Sequence, residues 1–186
     1  MKKKKDLQFH FYFYILMVFI VDIIFKNVRK DHRIDSNYIF FFFIIISYLY
    51  FYYFFKENFS EKMYKKIWFW VFILFLAISF IFQIQNNFTQ FSPVTIVLLP
   101  LFYIFGSMGW FAYILNQKIE GQIFNKMAFW ISSGLLIWGV FFLFRGLPMY
   151  YFNKADPVFL VEISKVFTII NIITYLLFFR SLFCKE

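Results

Sequence analysis

The sequence predicts an all-α fold: a polytopic membrane protein, one integral membrane domain over 1–186, formed as a compact bundle of about six transmembrane helices with both termini cytoplasmic. Three observations carry that reading. Of 186 residues, 62% are hydrophobic and 28% aromatic, whereas an ordinary soluble domain is roughly 45–50% apolar. Apolar runs approaching or exceeding 18 residues recur along the chain, each long enough to cross a bilayer as a helix. Lysine and arginine cluster beside these runs, where basic residues orient a membrane protein and meet anionic headgroups. The net charge of +9 is therefore read as loop charge beside lipid, and nucleic acid is rejected as a partner. Phe, Ile, Lys, Tyr and Asn dominate the composition. AT-rich coding gives the same bias without selection, so aromatic richness alone carries no functional weight.

The first expected span, 8–25, follows the basic start MKKKKD. It lacks a small-residue cleavage site and exceeds the ~7–15-residue apolar core of a signal peptide, so it reads as a retained helix. Asp22 lies about one turn from its far end. A charged connection leads to the second span, 37–55, which gathers Tyr48, Tyr50, Tyr52 and Tyr53 at its end as an aromatic belt. After the basic connection KENFSEKMYKK, the third span, 67–83, opens with Trp68 and Trp70 in the same belt. The uncharged connection IQNNFTQFS, 84–92, is the best candidate for a translocated loop. Its Asn87-Phe88-Thr89 sequon is read as a chance match, since the composition looks bacterial.

Pro93 starts the fourth span, 94–115. Pro100 removes one backbone hydrogen bond inside it and is the expected hinge. Gly106, Gly109 and Ala112 follow at intervals of three, and Ala128, Ser132 and Gly139 share a face of the fifth span, 127–144. Small residues let helix backbones approach where lipid supplies no hydrophobic drive. These six are read as helix-packing positions joining spans four and five, with a homodimer as the alternative. The segment RGLPMYYFNKADP, 145–157, reads as a partly inserted interfacial turn. Asp156 and Pro157 then cap and open the sixth span, 158–179.

The sixth span carries Glu162 and Lys165 in an otherwise apolar run, three residues apart and on one helical face. Ionisable groups in a membrane segment are functional candidates by default. With six spans, one side of the membrane holds twelve Lys and Arg and the other six, which places both termini in the cytoplasm. At ~1.5 Å per residue, Glu162 and Lys165 then lie roughly 8 and 12 Å inward from the outer start of their span. Asp22 and Arg145 fall at the same outer level. These four charges are the candidate ligand, substrate or proton site: an outward-facing polar pocket with Asn86 and Asn87 at its rim. The structural alternative is that they pair only to fix helix packing. Asn171 lies nearer the inner leaflet, where bonding to a neighbouring helix is its expected task.

Catalytic and cofactor signals are missing. His10 and His32 belong to no HExxH, Glu-x-x-His or Cys/His cluster, so no metal is expected. Cys184 is the single cysteine and allows no intramolecular disulfide. Ser132-Ser133-Gly134 is not a rhomboid-type serine site, because the glycine two residues before the serine is missing and no histidine follows in a later helix. Nucleotide motifs are missing as well, and no cofactor is expected. The leading expectation is a non-enzymatic sensing or interaction subunit of a membrane complex, in a bacterial-type cytoplasmic membrane. Its expected partners are membrane lipids and a membrane protein or a second copy of the chain. The alternative is a small-solute or ion/proton transporter using the intramembrane charges. A lipid-modifying enzyme, with Asp22 and Arg145 as its reactive pair, is the third reading.

Overall fold

The structure, a computed structural model, describes residues 10–21, 23–24, 36–86, 92–117, 123–152 and 157–184. The described residues are almost entirely helical. In chain order the elements are α1 (His10–Val21), α2 (Ser36–Asn58), α3 (Lys62–Gln85), α4 (Pro93–Asn116), a 3-10 turn at Ile123–Asn125, α5 (Met127–Phe152) and α6 (Pro157–Ser181). The five helices α2 to α6 are each long and apolar enough to cross a membrane. A helix is the open-chain solution there, because every backbone donor and acceptor must find its partner without water. The described part of the first expected span is the shorter apolar helix α1.

Two helices run further than their apolar runs suggest. α3 starts at Lys62 rather than 67, taking three lysines of the preceding connection into its first two turns. Lysine is a good helix former; Lys62 and Lys66 are exposed and Lys65 is half-buried. α5 continues past Arg145 to Phe152, through Gly146 and Pro148, where the sequence suggests an interfacial turn. A proline forfeits one hydrogen bond, and an otherwise apolar helix end absorbs that loss more cheaply than a break that frees several backbone groups. α4 starts as expected at Pro93. The Ser92 carbonyl accepts the amides of Thr95 (3.0 Å) and Ile96 (3.4 Å), so proline occupies the first helical position, where it lacks only a donor that has no partner anyway.

The chain forms two compact units, Met1–Leu99 and Pro100–Glu186, and the boundary falls inside α4 at the residue before Pro100. In unit 1 the buried positions of α3 are Trp68, Phe72, Phe75, Ser79 and Gln83, spaced three or four apart so that they form one face. That face meets α2: Tyr52 stacks on Phe72 with centroids 4.4 Å apart, and Phe55 meets Trp68 edge-on at 5.3 Å. The Trp68 indole donates to the Tyr52 carbonyl at 3.1 Å.

In unit 2 the main pairing is α5 with α6. Its register follows from three contacts: Gly134 lies against Phe178, Trp138 bonds Asn171, and Phe142 packs on Phe167. Positions that rise along α5 meet positions that fall along α6, so the two helices are antiparallel. The chain's end folds back on the turn before α5. The buried Cys184 sulfur lies 3.9 Å from the Phe124 carbonyl, and the Trp130 indole donates to that same oxygen at 2.7 Å.

Candidate functional site

α6 sets the geometry of the charged residues. It is the least covered of the long helices: 17% of its apolar window is buried, against 28% to 44% in the other four. Phe167, Ile170, Thr174 and Phe178 are buried, and at ~100° per residue they define one stripe, the side that meets α5. Lys165, Ile169, Ile172 and Leu176 fall on the opposite side and are exposed. Glu162 is one turn from Lys165 on that same outer half. The Lys165 ammonium donates to Glu162 Oε1 at 2.7 Å, and the two side chains are 65% and 61% exposed.

Arg145 is on α5 and takes a different partner. Its guanidinium lies 4.6 Å from the centre of the Phe167 ring, on the inner side of the α5–α6 pair. The other end of the pair has the converse contact, Arg180 of α6 at 5.5 Å from the Trp130 ring of α5. Each such cation–ring contact contributes about 0.5–1 kcal/mol where water reaches it. The structure thus separates two of the expected site groups: the ion pair faces away from α5, and Arg145 lies over a ring between the helices. Asp22 and Asn87 lie outside the described residues. Asn86 is half-buried and donates to the Phe82 carbonyl at 2.9 Å, closing its own helix end. Asn171 accepts the Trp138 indole at 2.9 Å, a side-chain bond between α6 and α5.

The six small residues lie in different settings. Gly106, Ala128, Ser132 and Gly139 are buried, Gly109 is half-buried and Ala112 is exposed. A Cβ at Gly139 would lie 3.0 Å from Ile104 Cγ1 and 3.1 Å from the Pro100 carbonyl oxygen. That is a close backbone approach between α4 and α5, beside the proline expected to act as a hinge. Pro100 itself is fully buried. Ser132 is fully buried too, and its hydroxyl has no hydrogen-bond partner among the described residues. Gly134, which the spacing argument passes over, meets Phe178 closely enough that a Cβ would lie 2.8 Å from its ring.

Unit 1 holds a feature that sequence reasoning missed. A groove of about 690 Å³ runs between α1 and α2, bordered by His10, Phe13 and Met17 on one side and Leu49, Tyr50 and Tyr53 on the other. Its floor is a ring stack, Tyr14 on Tyr50, with centroids 4.4 Å apart and planes 12° apart. The Tyr14 hydroxyl is 3.2 Å from the buried Ser47 hydroxyl. The Tyr50 hydroxyl is buried and has no hydrogen-bond partner among the described residues. The sequence reading places the four tyrosines at the end of α2 in an interfacial belt, but helical spacing turns them differently: Tyr48 is fully buried and Tyr53 is 55% exposed. Tyr48 points toward α3, where its hydroxyl is 3.0 Å from that of Ser79. Spacing of 100° per residue was the available signal.

Among the described residues no three His, Cys, Asp or Glu side chains gather as a metal site. No protein family matches the chain, and neither a curated protein nor a solved structure is significantly similar to it.

Proposed function

We propose that this chain is a non-enzymatic interaction subunit of a membrane complex, seated in a bacterial-type cytoplasmic membrane, and that it engages a partner membrane protein through the outer face of α6. The observation that supports this reading is the Glu162–Lys165 pair, held at 2.7 Å on the exposed side of the least covered helix. Charges inside a span are costly against lipid, even when they neutralise each other or reach toward the interface. A partner helix offering polar groups at the same depth lowers that cost and gains specificity from it. Transport through this chain alone asks something else of the pair: a hydrated path between its own helices, which its outward direction does not favour.

The test uses single cysteines at positions 162 and 165 in a Cys184→Ser background. With a membrane-impermeant thiol reagent, both positions are expected to stay protected in native membranes and to react after detergent dispersal. Reaction at both positions in intact membranes would count against a covered docking face and for the transporter reading, in which the pair binds a small solute, an ion or a proton.

A further inference from the structure

The groove between α1 and α2 has two properties that suit an apolar chain. Its volume, about 690 Å³, lies within the ~300–1,000 Å³ range of small-molecule sites. Its walls are aromatic and aliphatic, and the Tyr14–Tyr50 stack gives it a flat apolar floor.

One end of the groove is basic. His10, the first described residue of α1, is exposed, and α2 carries Lys56 in its last turn, one turn beyond the lining residues Tyr52 and Tyr53. The Lys56 ammonium lies 5.4 Å from the centre of the Tyr52 ring, so its charge sits against the groove wall. A chain that crosses once along α1 and returns along α2 brings His10 and Lys56 to one membrane face. On that face the sequence supplies eight lysines (2–5, 56, 62, 65 and 66) against Asp6, Glu57 and Glu61. Basic excess of this kind belongs to the cytoplasmic side, where the leaflet is rich in anionic lipid.

We propose that this groove is a binding site for an anionic phospholipid of the cytoplasmic leaflet. One acyl chain lies along the Phe13, Met17 and Leu49 walls, and the phosphate is held at the His10 and Lys56 end. A neutral phospholipid fits the walls equally well but gains nothing from Lys56. The site is independent of the α6 face, so the failure of either proposal leaves the other standing.

The experiment is native mass spectrometry of the full-length chain extracted from vesicles of equal parts phosphatidylglycerol and phosphatidylcholine. Retention of phosphatidylglycerol is expected to exceed that of phosphatidylcholine by about fivefold for one lysine at the headgroup, and more if neighbouring lysines add to it. Lys56→Gln is expected to lower that preference. Leu49→Trp fills the groove from a half-exposed wall position and is expected to reduce retention of both lipids. Leu115→Ala, at an exposed position of α4 outside unit 1, is the control and leaves retention unchanged. Equal retention of the two lipids, or undiminished retention in Leu49→Trp with the helical signal intact, would overturn the site.

Discussion

The two units are equally apolar and pack their helices by opposite means. All six glycines of the chain lie at or beyond position 106, so unit 2 has every one and unit 1 has none. Unit 2 uses them for close approach: backbone nears backbone at Gly139, and a ring fits over Gly134. Unit 1 separates its helices by ring thickness and ties them with hydroxyl pairs, Tyr14 to Ser47 and Tyr48 to Ser79, each a long side chain reaching a short one. Helices held apart by rings leave the aromatic groove open between α1 and α2. Hydropathy does not distinguish these two designs. The distribution of the smallest residues does.

The contrast can be broken by substitutions graded in size. Gly139→Val should have the largest effect, because its Cβ meets a backbone carbonyl that cannot swing aside; overpacking of this kind costs about 1–3 kcal/mol. The check is the unfolding midpoint of the purified chain in a titration of denaturing detergent. Gly134→Ala should cost less, since the obstructing atoms are the far edge of the Phe178 ring, which can rotate away. A reversed order would mean that close backbone approach is not what holds unit 2. Asn171→Leu removes the acceptor of the Trp138 indole bond and should destabilise by about 0.6–2 kcal/mol in the same titration, with a change in tryptophan emission.

In unit 1 the hydroxyl pairs should matter less. Tyr48→Phe leaves the Ser79 hydroxyl free to bond the carbonyl one turn back on its own helix, so most of the loss is recovered. A double-mutant cycle of Tyr48→Phe with Ser79→Ala is expected to give a coupling of about 0.6 kcal/mol. A coupling of several kcal/mol would show that polar ties, rather than ring packing, hold α2 to α3. The smallest effect is expected at the exposed ion pair. Glu162→Gln combined with Lys165→Met should change the stability of the isolated chain by about 0–1 kcal/mol, measured the same way.

The positions of α2 to α6 were legible because span length and charge placement follow directly from bilayer thickness. The far end of α5 was not, because Gly146 and Pro148 are turn residues in water and tolerated helix residues in a membrane. Asn171 was read as a helix-to-helix bond, and it accepts one from Trp138. The grouping of Arg145 with Glu162 and Lys165 rested on depth alone. Depth is set by residue number, but direction depends on which stripe of α6 meets α5, and both sides of that helix are apolar enough to serve. The groove was hidden for a related reason: four tyrosines near one helix end look like a belt until their angles are taken one by one.

The central claim is that the side of α6 bearing Lys165 is the one that another protein covers. A photo-crosslinking residue placed singly at each position from 162 to 176, with ultraviolet irradiation of native membranes, tests it most directly. Protein adducts should recur at 165, 169, 172 and 176 and be weak at 167, 170 and 174, and they should fade when Glu162 and Lys165 are neutralised together. An adduct at twice the chain's mass would identify a second copy, and any other mass a different protein. Adducts to lipid alone along the outer stripe would contradict the account.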